Sequence, residues 1–439
     1  MKKIFTLSAL LALTACGGGY EALNQKFMGD FNNGNYKAAA DEMAKATVKK
    51  EKPTEVYLGG LQCGTGYLWA NDSEGRKACF GAVDHVLKGE IDDDSSYKRK
   101  DYERIAYKTY QGIGEIIDGS ENASSSLNAA YTEQGRNLTE NAKDDEEVQE
   151  ARKKMAEDSK KSKEAGKSVD TSAAIAEATE LFNQDAEVKA FRDYANPYTT
   201  YIHALYSAYN GDKSSLNTYY NRLQNWSPDN KFLKDDVKAI NNGGKNVWVF
   251  FENGSVGEIK ERSLSPKVLQ AFGVKMTVPD VSKGTPAMDH LHIVAGDKEA
   301  DTQFFANYDS IVKTDMNKYA TSNIVKSVAF EVGKITAATL AKIAADEAAK
   351  KNGNNPWLRM AGDAAIIGIM SVEYPWDLRS WQSLPHEIQT ARIDMPEDGR
   401  VVINGEYSVE IPKDVNNAAV FVRMPSVKSK PAIHVGKLN

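Results

Sequence analysis

The apolar positions fall into three patterns along the chain. Residues 4–13 form a mainly apolar run, preceded by Lys2 and Lys3 and followed by Leu13-Thr14-Ala15-Cys16 and three glycines. Residues 16–240 carry apolar positions at helical spacing, with large and small side chains alternating around short turns. Four stretches repeat that design: FNNGNYKAAADEMAKA, GYLWANDSEGRKACFGAVDHV, IAYKTYQGIGEIIDGSENASSSLNAAY and YIHALYSAYNGDKSSLNTYYNRLQNWSPDN. In the last, Gly211-Asp212 marks the turn and Pro228 the exit. Such pairs read as divergent tetratricopeptide-like helical hairpins, in which each pair buries its apolar face only against its neighbours. Residues 138–189 break the pattern with Glu, Lys and Ala and few apolar positions, which predicts a solvated, projecting helix or loose linker frayed around Gly166.

Beyond Asn241-Asn242-Gly243-Gly244 the period changes to that of strands. NVWVFFENGSVGEIKERSL, HLHIVAG, RVVINGEYSVEIP, AAVFVRM and AIHVG supply β-branched and aromatic runs punctuated by Gly and Pro. Two helices are inserted among them, over residues 308–350 and from Asn355-Pro356 onward, where the proline occupies the tolerated first turn. The predicted fold class is therefore α+β: a leader at 1–15, a helical-hairpin array at 16–240 and a β-containing domain with two inserted helices at 245–439. Residues 364–372 (AAIIGIMSV) are too short to span a bilayer and read as a buried helix.

The leader decides the compartment. Its apolar core has signal-peptide length, and small residues ending in Cys16 resemble a lipobox, which implies cleavage after Ala15 and diacylglycerol and an acyl chain on Cys16. Several acyl groups hold a protein at a membrane; the other reading is a soluble secreted protein cleaved nearby. Gly17 is not the aspartate that retains lipoproteins in the inner membrane of enteric bacteria, so the expected location is the outer membrane, facing the periplasm. Loss of the leader's lysines takes the formal charge from −6 to −8, and no basic block remains to track phosphates, which argues against nucleic acid as a partner.

Cys63 and Cys79 each lie eight residues from Asn71, in two helices joined by a turn at Asn71-Asp72-Ser73 with Ser73 as N-cap. Equal spacing sets them at one height, which permits a disulfide; two free buried thiols are the other reading. In MDHLH, His290 and His292 share a strand face beside Asp289, as two metal ligands would. Two histidines do not make a zinc site, and neither HExxH, GxSxG nor a P-loop is present, so no metal, cofactor or catalytic residue is assigned.

The segments DYERIAYKTYQGIGE, YANPYTTYIHALYSAYNGD, NVWVFFENG and DLRSWQSLP, with IQTARIDMP, resemble an uncharacterised family of bacterial envelope lipoproteins. The resemblance implies tetratricopeptide-like helices before a β-containing region, and genes beside those for lipoprotein activators of penicillin-binding proteins. Its motif positions are Tyr102, Glu103, Arg104, Asn196, Pro197, Tyr198, Glu252, Asn253, Gly254, Asp377, Arg379, Trp381, Leu384 and Pro385, none of them catalytic. The chain departs from the family at Ser255-Val256. Asp377 and Arg379 can pair while Trp381 packs, pinning a corner between helix and strand in the C-terminal domain. Asn253-Gly254 supplies positive-φ turn residues, and Glu252 ends the strand. The expected function is a non-enzymatic scaffold that binds envelope proteins, possible members of the peptidoglycan synthesis machinery, mainly through its helices. The alternatives are a metal-dependent cell-wall hydrolase using Asp289, His290 and His292, or a peptidoglycan-binding protein using Trp226 or Trp357.

Overall fold

A computed structural model describes residues 18–50, 54–91, 97–139, 146–184, 186–192 and 195–438. The expected leader and the expected lipidation position, Cys16, lie outside the described residues. Among the described residues, eleven helices come first: α1 (Gly18–Asn32), α2 (Tyr36–Thr47), α3 (Val56–Trp69), α4 (Ser73–Leu87), α5 (Asp101–Ile117), α6 (Ala123–Thr139), α7 (Glu146–Glu164), α8 (Thr171–Gln184), α9 (Pro197–Tyr209), α10 (Leu216–Trp226) and α11 (Phe232–Asn241). There follow β1 (Asn246–Asn253), β2 (Ile259–Leu264), α12 (Lys267–Gln270), β3 (Met276–Val281), β4 (His292–Ala295), β5 (Lys298–Asp301) and β6 (Gln303–Asn307). The chain ends with α13 (Tyr308–Lys318), α14 (Ala320–Lys351), α15 (Pro356–Met370), β7 (Glu387–Asp394), β8 (Arg400–Ile403), β9 (Tyr407–Glu410), β10 (Asn417–Met424) and β11 (Ala432–Lys437). The α+β class and the helical-array-then-sheet order match the sequence pattern.

Successive N-terminal helices pack as neighbours, α1 on α2, α2 on α3, α3 on α4 and α5 on α6. The turn into α4 is capped by Asp72, whose carboxylate accepts from the Gly75 amide at 2.9 Å, one residue earlier than expected; Asn71 takes the left-handed φ of 57°. Cys63 and Cys79 face each other across α3 and α4 with Cα atoms 6.0 Å apart, and are bonded.

The central sheet has the order β11-β10-β1-β7-β6, with β1 parallel to β10 and antiparallel to β7. Strand β1 is buried at every position, which accounts for its unbroken apolar run. Its two faces serve different cores. Trp248 and Phe250, with Phe421 of β10, join the core of the helical array. Val247, Val249 and Phe251 pack instead with Leu291, Ile293, Val401 and Ile403 of the second sheet, ordered β5-β4-β8-β9. Secondary structure changes at Asn241, but the helices and the sheet share one core across that boundary.

The charged stretch at 138–189 does not project as a solvated helix. Its helices α7 and α8 bury Met155, Ala174, Ala178 and Phe182 against Ile324, Val328 and Val332 of α14 and Leu264 and Val278 of the β2–β3 hairpin. The turn at Gly166, with φ of 80°, separates the two helices. A sparse apolar stripe suffices because the long helix α14 supplies the other half of the contact. The inserted helix at 308–350 is divided at Tyr319 into α13 and α14. Residues 364–372 are not buried as expected: in α15 only Gly362 is buried.

Candidate functional site

The residues singled out by the DLRSW motif form a joint between the two halves of the chain. Arg379 grips Asp377 through two hydrogen bonds, at 2.8 and 2.7 Å, and reaches Glu55 at the start of α3 at 2.7 Å. Trp381 is fully buried, its ring 5.4 Å from that of Tyr110, and its indole nitrogen donates to Ser383 and to Thr65 of α3. The Trp381 amide donates to Glu103 of α5, whose carboxyl burial pushes above its usual range and which also accepts from Tyr97. The expected pairing and packing are present, but the expected location is corrected: these side chains pin the segment to α3 and α5, not to a corner within the C-terminal domain. The cause is geometric, since residues 379–383 run across the N-terminal helices before the chain enters β7.

Glu252 is also a joint residue. It is completely buried at the end of β1, where it accepts from Tyr110 of α5 at 2.6 Å and Tyr198 of α9 at 3.1 Å and faces Arg423 at 3.7 Å. Burial pushes its carboxyl up to about 7, against the opposing pull of Arg423. The Arg423 guanidinium donates to the carbonyls of Glu252, Gly254, Ser383 and Leu384. Asn196 caps α9 and its amide donates to Tyr308, so this motif position too ties helix to helix. Gly254 has the expected positive φ, 72°, and a Cβ there would lie 1.9 Å from the Thr285 carbonyl oxygen. Asn253 does not share that conformation. It remains in the strand, accepts from the amides of Ala287 and Met288, and donates to Glu387.

The histidines occupy an exposed edge. Leu291 is buried and β4 begins at His292, so His290 precedes the strand. His292 lies 2.8 Å and His290 3.8 Å from Asp301, while the Asp289 carbonyl accepts from Gln389. Among the described residues no group of three or more His, Cys, Asp and Glu side chains is placed to hold a metal ion.

Clefts open among the described residues include two that bear on these residues. One, of about 420 Å³, includes Tyr131, Arg222 and Trp226; Trp226 packs edge-on to Phe191, 5.9 Å away. The other, of about 470 Å³, lies where the approach to α5, the α13–α14 junction and the segment before DLRSW converge. Its lining includes Asp315, Met316, Tyr319, Lys326, Tyr374 and Trp376. Asp315 was missed in the sequence reading. Helix α13 carries an unusual load of buried charge, Asp309, Lys313 and Asp315. Asp309 accepts from the amides of Gly257 and Gly284 and contacts His386, and Lys313 pairs with Asp280. Asp315 is 4% exposed, yet its Oδ2 has no hydrogen-bond partner among the described residues. Burial, aided by Asp101 and Glu103 and opposed by Lys318 and Lys100, pushes its carboxyl up to about 7.

The α14–α15 hairpin presents a third feature. Trp357, Met360 and Ile367 are 72%, 58% and 71% exposed, and their spacing sets them on one face of α15. No helix of the described residues is long and apolar enough to cross a membrane. In comparisons with known proteins, no family model, no curated protein and no solved structure matches the chain.

Proposed function

We propose that this chain is a lipid-anchored adaptor of the bacterial cell envelope, held by Cys16 at the outer membrane, facing the periplasm, and binding a protein partner without catalysis. The anchor rests on the apolar leader and the lipobox-like Ala15-Cys16, and a place in peptidoglycan assembly on the resemblance in the DLRSW and NVWVFFENG segments. The observation that carries the binding role is the exposed apolar face of α15, formed by Trp357, Met360 and Ile367. The inner face of the helical array is taken up by the chain's own sheet, through Trp248, Phe250 and Phe421, so the partner surface moves from the helices to this hairpin.

The occupant is a protein with an apolar groove or helix face. Two charge pairs lie within the hairpin, Lys342 with Asp363 at 3.1 Å and Arg359 with Asp346 at 3.6 Å, and Lys350 and Lys351 close α14. An apolar centre with a polar rim is the anatomy of a protein interface, and a Trp there is a fitting anchor. The test replaces Trp357 by a photo-crosslinking residue in cells. The expected result is one defined envelope protein attached at that position, lost on Ile367→Asp and lost when Cys16→Ser releases the protein from the membrane. Attachment to lipid alone, or only to a second copy of the chain, would overturn the adaptor reading.

A further inference from the structure

The 470 Å³ cleft carries a second binding role, independent of the hairpin. Its charged lining is paired with two exceptions: Asp315, and Arg99, whose guanidinium lies over the Tyr57 ring at 5.7 Å. Glu147 binds Lys98 at 2.6 Å and Lys326 at 2.5 Å, and Asp377 binds Arg379 at 2.7 Å. Lys100 donates to the Tyr97 hydroxyl and the Arg379 carbonyl, and Lys318, beside the cleft, pairs with Asp101 at 2.6 Å. Asp315 is left as a buried carboxylate lining the cleft, with one oxygen that no protein donor reaches among the described residues. An unsatisfied buried acceptor is costly, and the cost is greatest when it is charged. The walls beside it are aromatic: Tyr319, Tyr374 and Trp376. The Trp376 indole nitrogen donates to the Thr277 carbonyl at 3.1 Å, and the Tyr374 ring lies 4.1 Å from that of Trp376, so this wall is fixed before any ligand arrives.

We propose that this cleft binds an organic cation bearing a primary alkylammonium group, whose nitrogen donates to Asp315 while its methylenes lie against Tyr319, Tyr374 and Trp376. The alternatives are weaker on chemical grounds. A hydroxyl supplies a donor without compensating charge. A divalent metal needs several oxygen ligands, and a guanidinium is best matched by two carboxylate oxygens. An ammonium supplies donor and charge at a single point, and aromatic faces attract cations. The ammonium has two possible sources, a small free amine or the lysine side chain of a peptide.

The experiment titrates the full chain with n-pentylamine, Nα-acetyl-lysine methylamide and 1-pentanol, read by calorimetry and by tryptophan fluorescence. Pentylamine is expected to bind at least about tenfold more tightly than 1-pentanol, which has a similar apolar tail and no charge. Asp315→Asn is expected to weaken pentylamine by at least about tenfold and leave 1-pentanol unchanged, and Trp376→Phe to weaken the amine severalfold. Tighter binding of the lysine derivative than of pentylamine assigns a peptide source, and the reverse a free amine. Equal binding of pentylamine and 1-pentanol, no binding of either amine, or undiminished amine binding by Asp315→Asn would overturn the proposal. The comparison of amine with alcohol needs no variant, so a folding defect in Asp315→Asn leaves the proposal testable, and neither outcome bears on the crosslink at Trp357.

Discussion

Asp315 and Glu252 are both buried carboxylates pushed up to about 7, but only Glu252 has phenolic donors and a guanidinium around it. Asp236, buried against Tyr201 and Arg392, is pushed up to about 6. For each, the unfolded chain loses its proton in the ordinary carboxylate range while the folded chain keeps it to higher pH. Between those values the folded state holds the extra proton, so stability falls as pH rises from about 4 to about 7. Asp315, faced by Asp101, Glu103, Lys100 and Lys318, supplies a share that can be isolated. Asp315→Asn should raise stability at about pH 8 by on the order of 1 kcal/mol and change it little at about pH 3.5, as read by urea unfolding at both values. A loss of stability at pH 8 would mean that the carboxylate is structurally required. At this scale the sequence was uneven. Equal spacing from Asn71 brought Cys63 to Cys79, and Gly254 announced its turn, because both are local constraints. Asp315, Glu252 and Arg423 gave no local sign, because what surrounds them comes from elements up to several hundred residues away.

Elements were legible wherever their own period fixed them, and misread wherever a neighbour decided their fate. Strand β1 was readable from its apolar run, and the start of α15 from Asn355-Pro356. The stripe of α7, with Val148 and Met155 buried, was visible but sparse, and only the presence of α14 shows why it docks. The error over α15 ran the other way: an apolar run measures the wish to be covered, and says nothing about what covers it. The DLRSW segment is the clearest case of a correct local reading with a wrong neighbour. Trp381→Ala should cost about 3–5 kcal/mol, since it opens a cavity beside Tyr110 and removes the donor to Ser383 and Thr65. Because Trp381 sits between α3 and α5, the loss should appear in helical and sheet signals together, measured by far-ultraviolet circular dichroism and hydrogen exchange during denaturation. Sheet amides that open while α3 and α5 stay protected would return the residue to a role inside the C-terminal region.

On the scale of the whole molecule, the central sheet is the shared wall. One face closes the core of the helices and the other the core of the second sheet, and β1 contributes alternate side chains to each. The contacts are distributed along the array: Tyr36 donates to the Arg423 carbonyl, Trp69 stacks on His434 at 5.7 Å, Tyr201 meets Phe250 at 5.2 Å, and a Cβ at Gly436 would collide with Ile116. A chain ending at Asn241 would keep the helices but leave Tyr110, Tyr198 and Tyr201 without the sheet residues that cover them, and would unpair the hydroxyls now given to Glu252 and the ring face now given to Trp381. A solenoid with a free inner face would tolerate that cut, because each repeat leans only on its neighbours. Here the helical half should form secondary structure without fixed tertiary packing, with weak near-ultraviolet circular dichroism and a broad, shallow urea transition. The full chain should unfold its helical array and central sheet in one cooperative step. A sharply cooperative fragment, or two separated transitions in the full chain, would show that the shared core is an adhesion between independent halves, and would restore the helical array as a domain with its own surface to offer.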